Sequence, residues 1–569
     1  MISSFVFRTK IIFLFILFFA LALILKIFWV QIIQGNSYSE RADRQYSTSA
    51  SDIFERGSIY FSRKDGQNVF AVTQIAGFKV AIIPNKITDA EFVYQKLTNV
   101  AILDYDSFML KANKKNDPYE EVLNRLSKEE ADAISELKIP GVNIFKEKWR
   151  SYSGGNLASH TLGFVAYKGE KLGGRYGLER EYDAELTRNK NNPYVNFFAE
   201  VFSNINEELF KNEIKEGDII TTIEPTVQSS LEKELEGVKQ KYQADSVGGI
   251  IMNPKDGSIY ALSALPDFDL NNFSKVEKVS TFSNPLVENV LEFGSVVKPL
   301  VMASALDAGV LRPETKYEDK GSVIVEKKEI FNFDKKARGV VNMQEVLNQS
   351  LNTGMVFVYN KLGKNKMRDY MLGFGIKDKT GIDLPNETGG LVSNLYKPRD
   401  LEYANAAFGQ GIAFTPVSLI RALASLGNGG NLVTPHVVKE IKYINGSSKK
   451  MEYLTTRAKI TEKTAEEITT MLVNVMDQSL KGGLAKLEHY SVAVKTGTAQ
   501  VANSLDGGYY KDRHTHSFFG YFPAYDPKFI ILLYAVDPKG VPFASVTWTD
   551  PFLAITKFLL NYYEVPPDR

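Results

Sequence analysis

The stretch GGIIMNPKDGSIYAL, residues 248–262, decides the fold of the larger part of this chain. It holds two apolar, strand-like runs, 249–252 and 258–262, on either side of a turn at 253–257. Two further strand-like runs, 517–522 and 529–536, close the chain, with several helical segments between. Strands from both ends of one domain, with helices inserted, predict an α+β fold built on an antiparallel sheet.

A more irregular, mixed α/β segment precedes this domain. We expect this segment to contain strands at 69–72 and 77–83, helices at 89–99 and 117–137, and a loop at 188–193. In the domain that follows, we expect the last helix of the chain at 552–562. The pattern changes at Gly248, where the strand-like runs begin, so the domain boundary falls near 235–245. We therefore divide the chain into a region over 36–240 and a domain over 241–569.

Composition excludes several classes of protein. The 569 residues carry 68 basic and 67 acidic side chains, for a net charge of +1, which argues against a nucleic-acid-binding protein. There is no cysteine, so disulfides, thiolate metal sites and cysteine nucleophiles are excluded. Only five histidines are present, which argues against a histidine-rich metal centre.

An apolar stretch near the N-terminus predicts a membrane anchor. Residues 11–33 are apolar except for Lys26 and Gln31, and are long enough to cross a hydrocarbon core of about 30 Å. Arg8 and Lys10 precede it, so the positive-inside rule predicts a cytoplasmic tail at 1–10 and a single-pass protein of the cell (inner) membrane with its domains outside. A cleaved signal peptide is the alternative, although apolar residues continue beyond its small-x-small site.

Ser295 and Lys298 form the first of three motifs that carry chemistry. An apolar helical run follows them, so Ser295 lies at a helix N-terminus with Lys298 on the same face, within reach of its hydroxyl. A lysine can take the proton of a serine only if its pKa lies well below about 10.4. Burial, the positive helix end and a second cation would each lower that pKa. The pattern alone is weak, because it recurs at Ser135, Ser230 and Ser447.

The other two motifs are Ser350-Leu-Asn352 and Lys495-Thr-Gly-Thr498. The first lies between two helical runs and offers a proton carrier and an amide that can hold a carbonyl or a lysine. The second ends a strand-like run, 491–495, and its lysine and hydroxyls suit a carboxylate, while its glycine allows another backbone to lie close. A further Lys-Thr-Gly at 379–381 lies in a turn, and we interpret it as structural.

The order and spacing of the three motifs are more specific than any one of them. Ser-x-x-Lys, Ser-x-Asn and Lys-Thr-Gly within about 200 residues are typical of penicillin-recognising serine acyltransferases. From its anchor almost to its end, the chain resembles the class B penicillin-binding proteins, which are monofunctional peptidoglycan D,D-transpeptidases. Further stretches carry this resemblance: 56–59, 158–165, 177–183, 264–271, 409–416 and 497–500.

The sequence departs from the family pattern at Ser62, Phe293, Val296 and Leu351, and none of these removes a catalytic group. Phe293 stands where a proline usually precedes Gly-Ser, and we expect it to reshape the rim of the cleft. Loops near 100–140, 190–215 and 310–340 are not covered by the resemblance.

The resemblance implies an α+β protein with a transmembrane helix, an elongated mixed α/β pedestal (the dimerisation-type domain) and a penicillin-binding transpeptidase domain of antiparallel sheet with helical insertions. It also implies how the catalytic residues act. Ser295 attacks the carbonyl between the two D-alanines of a stem pentapeptide, and Lys298 takes its proton. Ser350, supported by Lys495, passes the proton to the leaving D-alanine, and Asn352 orients Lys298 and the substrate amide.

Substrate binding and partners follow from the same resemblance. The backbone N–H groups of Ser295 and Thr498 hold the oxyanion, and Thr496 and Thr498, on either side of Gly497, hold the terminal carboxylate. An amine of a neighbouring stem then resolves the acyl-enzyme, without metal or cofactor. β-Lactams acylate the same serine, and a polytopic glycosyltransferase of the SEDS type is the expected partner in the membrane.

Several alternatives stay open. A D,D-carboxypeptidase or a β-lactamase-like hydrolase shares the three motifs, although neither needs the anchor and the pedestal. A two-function synthase needs glycosyltransferase motifs that 36–240 does not show, and a non-catalytic scaffold or sensor need not keep every motif residue. A Ser-His-Asp triad is disfavoured because no histidine lies in the motifs. Within the family, 495–500 and 517–523 favour the division type over the elongation type.

Overall fold

A computed structural model describes residues 13, 17–21, 23, 26, 55–169, 171–188, 216–503 and 507–569. Of the described residues before 55, all are helical. In the part of the chain that the structure describes, no helix is both long and apolar enough to cross a membrane. The predicted tail at 1–10 and most of the predicted anchor at 11–33 lie outside the described residues.

The described strands, in chain order, are β1 (Glu55–Arg56), β2 (Ile59–Ser62), β3 (Asn68–Ile82), β4 (Glu120–Leu126), β5 (Val142–Tyr152), β6 (Val165–Lys168), β7 (Lys171–Gly174), β8 (Thr187–Arg188), β9 (Gly217–Thr221), β10 (Ser246–Met252), β11 (Ile259–Leu265), β12 (Lys316–Asp319), β13 (Ser322–Val325), β14 (Lys328–Phe331), β15 (Gly339–Asn342), β16 (Asn431–Val433), β17 (Val438–Tyr443), β18 (Ser448–Lys450), β19 (Thr455–Arg457), β20 (Ala493–Ala502), β21 (Tyr509–Phe522) and β22 (Phe529–Val536).

The described α-helices after residue 55 are α1 (Ala90–Thr98), α2 (Tyr105–Ala112), α3 (Lys128–Glu136), α4 (Ser159–Leu162), α5 (Gly177–Glu181), α6 (Asp183–Leu186), α7 (Pro225–Tyr242), α8 (Pro285–Glu288), α9 (Lys298–Asp307), α10 (Met343–Asn348), α11 (Asn352–Leu362), α12 (Lys364–Gly373), α13 (Asp400–Ala406), α14 (Pro416–Gly427), α15 (Glu462–Asn474) and α16 (Ala544–Tyr562). A 3₁₀ turn, Gly294–Val297, leads directly into α9.

The chain forms two compact units, 1–55 with 74–150, and 56–73 with 151–569. In the smaller unit β4 pairs antiparallel with the end of β3, and its apolar core includes Val80, Leu97, Phe108 and Leu123. The predicted helix at 89–99 is confirmed as α1, which begins after Asp89 because that carboxylate accepts from the N–H of Phe92.

The prediction of one helix over 117–137 is wrong, since this segment contains β4 and α3. Ser127 starts α3 through a capping box with Glu130, which ends the strand just before it. The strand runs predicted at 69–72 and 77–83 belong to the single strand β3.

In the larger unit, a five-stranded sheet in the order β11-β10-β22-β21-β20 confirms the expected antiparallel α+β architecture. Ile250 of β10 lies opposite Leu532 of β22, and Phe519 of β21 lies opposite Lys495 of β20. Strands from both ends of the domain therefore meet at its centre, and the late residue Lys495 is brought to the sheet edge at β20. A second sheet contains β18, β17, β9, β2 and the start of β3.

Helices α7 and α16 pack closely on the five-stranded sheet because small residues leave room for them. A Cβ atom at Gly249 would lie 2.9 Å from Leu231 of α7, and one at Gly520 would lie 2.5 Å from Phe552 of α16. Helix α7 runs through residue 240, where the sequence places the domain boundary. Helix α16 begins at Ala544, earlier than the predicted 552, and continues through Pro551.

Candidate active site

The segment around Ser295 lies directly against β20. A Cβ atom at Gly497 would lie 2.4 Å from the carbonyl oxygen of Phe293, and one at Gly294, where φ is +60°, would lie 2.7 Å from that of Thr498. The two glycines therefore let the segment around Ser295 and the strand approach each other. Ser517 of β21 supports the contact, because its hydroxyl donates to the Phe293 carbonyl at 2.8 Å.

Phe293 does not lie at the cleft rim, and the expectation that it reshapes the rim is wrong. Its side chain is fully buried, with its ring edge-on to Tyr534 at a centroid distance of 6.1 Å. The aromatic ring fills apolar space beneath the nucleophile segment, which is a core position.

Lys298 is the first residue of α9 and has no exposed surface. Its amine donates to the Ser350 carbonyl at 2.6 Å and to Asn352 Oδ1 at 2.8 Å, and it lies 3.2 Å from Ser350 Oγ. The spacing of Ser295 and Lys298 predicts a direct contact between the two. Among the described residues, however, the polar partners of the amine are those of the Ser-x-Asn motif.

The Ser350-Leu-Asn352 turn joins α10 to α11, as the sequence predicts. Ser350 has a φ of +55°, in the left-handed region that non-glycine residues rarely adopt. This conformation costs of the order of 1 kcal/mol. The fully buried side chain of Leu351 and the bond from Lys298 to the Ser350 carbonyl hold the turn in place.

Lys495 reaches the same serine from the opposite side. It lies within β20, which extends to Ala502, whereas the sequence predicts a strand that ends at Lys495. Its amine is 3.0 Å from Ser350 Oγ and 3.1 Å from the carbonyl of Thr496, and its side chain is almost fully buried. The Ser350 hydroxyl therefore lies between two buried amines.

Burial changes the proton affinity of both amines. It lowers the pKa of Lys298 far below its ordinary value, and the nearby charge of Lys495 lowers it further. Burial also lowers the pKa of Lys495, to about 7. Neither amine forms an ion pair with a carboxylate of the described residues. The two amines therefore resist carrying two positive charges at once, and Lys298, whose pKa is also lowered by the charge of Lys495, is the amine that loses its proton first.

A cavity of about 1220 Å³ opens over this cluster. The site residues that line it are Ser295, Ser350, Asn352, Lys495, Thr496 and Thr498. The remaining two site residues adjoin these: Gly497 lies against the Phe293 carbonyl, and Lys298 is bonded to the Ser350 carbonyl. The structure thus brings together all eight site residues that the sequence predicts.

Sequence reasoning missed several walls of the cavity. They include Phe331, Phe333 and Arg338 from the 310–340 region, Asn405 and Phe408, the segment around Gln478, and Phe543 before α16. Phe333 and Phe543 meet edge-to-face, with ring centroids 5.5 Å apart. Two further wall residues do have a signal in the sequence, because Gln410 and Gln500 lie in the stretches 409–416 and 497–500 that carry the family resemblance.

The second Lys-Thr-Gly motif, at 379–381, has a different environment. The hydroxyl and N–H of Thr380 both donate to Glu387 at 2.6 Å, and the N–H of Gly381 donates to the same carboxylate at 3.0 Å. These bonds give the motif a role in closing a turn, and its residues do not line the cavity described above.

Comparison with known proteins assigns the family. Residues 247–549 match the model of the penicillin-binding protein transpeptidase domain, and residues 54–222 match that of the penicillin-binding protein dimerisation domain. The chain belongs to the class B penicillin-binding proteins.

Two curated relatives of this penicillin-binding protein align with it over most of its length. Stage V sporulation protein D of Bacillus subtilis is 30% identical over 521 residues, which cover 90% of this chain and 79% of that protein. Peptidoglycan D,D-transpeptidase FtsI of Escherichia coli is 24% identical over 568 residues, which cover 96% of this chain and 91% of that protein.

The fold is shared with solved structures. Penicillin-binding protein 2X from Streptococcus thermophilus matches with a TM-score of 0.72 and 19% identity, over 90% of this chain and 81% of that chain. Penicillin-binding protein 3 of Mycobacterium tuberculosis matches with a TM-score of 0.64 and 24% identity, over 74% of this chain and 92% of that chain.

We predict that Gly497→Ala slows labelling of this penicillin-binding protein by a fluorescent penicillin. The new Cβ would lie 2.4 Å from the Phe293 carbonyl and 2.5 Å from Ser517 Oγ, so β20 must move away from Ser295. A displacement near 1 Å at a reacting centre costs roughly 10²-fold in rate. The measurement is the labelling rate of purified full-length protein, read on a gel.

Gly237→Ala is the matched control. Gly237 lies inside α7, and a Cβ atom there would have no heavy atom within 4 Å outside its own helix backbone, so labelling should be unchanged. This variant should also be more stable by about 1 kcal/mol, because alanine favours a helix interior. Wild-type labelling of Gly497→Ala would contradict the close approach described here.

Proposed function

We propose that this protein is a peptidoglycan D,D-transpeptidase of the division type, which cross-links stem peptides through an acyl-enzyme on Ser295. The observation that carries the proposal is the hydroxyl of Ser350, 3.2 Å from the Lys298 amine and 3.0 Å from the Lys495 amine, at a cleft that Ser295 lines. Two hydroxyls and two desolvated amines can supply a nucleophile, a base and a proton carrier without a metal or an imidazole.

Lys298 is the proposed base for Ser295. A neutral amine has two N–H donors and one lone pair. The Ser350 carbonyl and Asn352 Oδ1 can only accept, so they take the two N–H bonds at 2.6 and 2.8 Å. The lone pair is then left for a hydroxyl. As Ser295 Oγ bonds to the carbonyl carbon of the substrate, its proton passes to this lone pair and the carbonyl oxygen becomes an oxyanion.

Ser350 is the proposed proton carrier in the collapse of the tetrahedral intermediate. Its hydroxyl donates to the nitrogen of the leaving D-alanine while it accepts a proton from the Lys298 ammonium 3.2 Å away. The C–N bond breaks, the acyl-enzyme remains, and Lys298 is neutral again. Lys495, 3.0 Å from the same oxygen, stabilises the negative charge that develops on Ser350.

Substrate binding is proposed for the Lys-Thr-Gly-Thr strand. A C-terminal carboxylate supplies the negative charge that two buried amines lack in the cleft. Thr498 Oγ1 accepts from the N–H of Ala544 at 3.2 Å, which leaves its own proton available for that carboxylate, beside Thr496. The backbone N–H groups of Ser295 and Thr498 are the proposed oxyanion donors.

An amine of a second stem peptide completes the proposed reaction. It attacks the acyl carbon, its surplus proton returns through Lys298, and Ser295 is released from the new amide. A carboxypeptidase or a β-lactamase would use water at the same step. The dimerisation domain and the peptidoglycan D,D-transpeptidase named among the relatives support the transfer reaction over hydrolysis.

The cellular setting is also a proposal. Residues 11–33 anchor the chain in the cell membrane with 1–10 in the cytoplasm, and a SEDS-type glycosyltransferase supplies the glycan strand. We further propose a pedestal over 36–240 and a transpeptidase domain over 241–569. The family matches at 54–222 and 247–549 support this division.

Ser295→Ala should abolish covalent labelling by a fluorescent penicillin, because no other hydroxyl in the cleft has both a base and an oxyanion site. Ser230→Ala and Ser447→Ala, which alter two Ser-x-x-Lys patterns outside the cleft, should label as the wild type does. The readout is a labelled band near 64 kDa, together with the modified peptide in mass spectrometry. A band that survives Ser295→Ala would reject the proposed nucleophile.

The two lysines should respond differently to arginine. Lys298→Arg should acylate almost as slowly as Lys298→Ala, because a guanidinium cannot act as a base. Lys495→Arg keeps a positive charge and should remain well above Lys495→Ala. Loss of general-base help is worth about 10²- to 10⁴-fold, which rapid-mixing kinetics resolve.

The pH dependence provides a second readout of the same division of roles. Since burial lowers the pKa of Lys298, the wild-type acylation rate should rise as pH increases through that lowered pKa. It should fall again as Lys495 loses its proton, around its own lowered pKa of about 7. Near wild-type kinetics for Lys298→Arg, or equal inactivity of both arginine variants, would show that the roles are assigned wrongly.

Deletion of residues 1–34 tests the anchor. The cleft is lined by residues from 295 to 545, so the truncated protein should still label with penicillin at the wild-type rate. Exported with a cleavable signal, it should not support growth of cells that depend on the protein. Full complementation would argue against a role for the anchor in partner binding.

A further inference from the structure

Asp319 is a buried carboxylate close to the Ser-x-Asn motif, at the end of β12 in the 310–340 region. Its side chain is about 1% exposed. It accepts from Thr353 Oγ1 at 2.7 Å, from the N–H of Arg338 at 3.0 Å, and with both oxygens from Asn332 Nδ2 at 3.0 Å. The N–H of Gly321 also donates to it at 3.1 Å.

This carboxylate is balanced by hydrogen bonds rather than by a cation. The guanidinium of Arg338 binds Asp334 in bidentate fashion at 2.7 and 2.8 Å, and no ion pair of the described residues includes Asp319. A buried charge is costly unless donors satisfy it, and here five hydrogen bonds from four residues do so. Because the carboxylate depends on all of these bonds, it holds each of the four donor residues in a fixed position.

Two of those donors are the chain neighbours of the two residues that meet at the Asn352 amide, Phe331 and Asn352. Asn332 follows Phe331, whose carbonyl accepts from Asn352 Nδ2 at 3.0 Å. Thr353 follows Asn352 itself, and its N–H donates to Asn332 Oδ1 at 3.3 Å. Asp319 therefore holds both ends of the contact that directs Asn352 Oδ1 toward Lys298.

The orientation of this amide matters because its two ends differ. Turned over, Asn352 would present its NH₂ group to the Lys298 amine and its oxygen to the Phe331 carbonyl. Both contacts would then be between like groups. In the observed orientation Asn352 accepts one of the two N–H bonds of a neutral Lys298 and so directs the lone pair of the amine.

We propose that Asp319 is a positioning residue for the acylation step, which fixes Asn352 and thereby directs the Lys298 amine toward Ser295. This inference rests on the proposed function. The carboxylate lies beneath the site and touches neither the substrate nor the reacting atoms. It acts through Thr353 and Asn332.

Asp319→Asn tests the inference in purified full-length protein with a fluorescent penicillin. The asparagine NH₂ would face the donors Asn332 Nδ2 and Arg338 N, so the network must rearrange. We expect the maximal acylation rate to fall at least tenfold, with the affinity of the non-covalent complex unchanged within about twofold. A residue that only supports the fold would not produce this split.

The pH profile of acylation gives a further readout. Lys495 is the charged group that acts on Lys298, and it is unchanged in the variant. Displacement of Asn352 removes an acceptor for the ammonium form of Lys298. This change favours the neutral amine, so the rising limb of the profile should move to lower pH while the maximal rate falls.

Asp383→Asn is the matched control. Asp383 is partly buried and accepts from the N–H groups of Val437 and Val438 and from Tyr453, each at 2.8 Å, away from the cleft-lining residues. It should lower the melting temperature without changing the acylation rate or its pH profile. An Asp319→Asn protein that melts early but acylates with the wild-type rate and profile would overturn the inference.

Thr353 provides a second pair of variants should Asp319→Asn fail to fold. Thr353→Ser keeps the hydroxyl that donates to Asp319 and should acylate at the wild-type rate, whereas the isosteric Thr353→Val should be slowed severalfold. Equal rates for the two would also overturn the inference. Absence of Ser295-dependent labelling in the wild type would instead reject the proposed function, so the two failures are distinguishable.

Discussion

Two lysine amines buried around one serine hydroxyl are the constraint on which the rest of the site depends. Two adjacent cations without a carboxylate cannot both keep their protons at low cost away from water. The protein responds with neutral acceptors: the carbonyls of Ser350 and Thr496 and the amide of Asn352. These groups stabilise a pair that holds less than its full charge. Such a pair contains one amine that can act as a base and one that can act as a cation.

The fold brings these groups together from distant parts of the chain. Strand β20 lies at the sheet edge, separated from β10 by β22 and β21. There Lys495 lies close to the helix that begins at Lys298, and both amines reach Ser350 Oγ. The left-handed Ser350 turn then places a carbonyl and a hydroxyl between the two amines. Glycines at 294 and 497 allow the backbones to lie close enough for all three motifs to share one cavity.

The sequence was sufficient for the sheet and for the motif residues, because alternating apolar runs and motif spacing are local signals. It was insufficient where tertiary contacts determine the secondary structure or the burial of a residue. The segment at 117–137 has the polar composition of a helix. However, Ser127 caps a helix that begins only at 128, and the strand before it pairs with β3. The replacement of a proline that usually precedes Gly-Ser predicts a rim position for Phe293, whereas its ring is fully buried against Tyr534. The cavity walls near Phe331 and Arg338 carry no pattern that links them to the motifs.

The 310–340 region both lines the cavity and supports the Ser-x-Asn motif. Phe331 and Phe333 line the cavity, so the 310–340 region contacts whatever occupies it. The same region contributes Asp319 and Asn332, which bind the start of helix α11 through Thr353. Asn352 begins that helix and bonds to Lys298, so a few contacts join the cavity wall to the Lys298 amine. With the positioning role proposed for Asp319, one buried carboxylate fixes both a wall of the cavity and the acceptor that orients the proposed base.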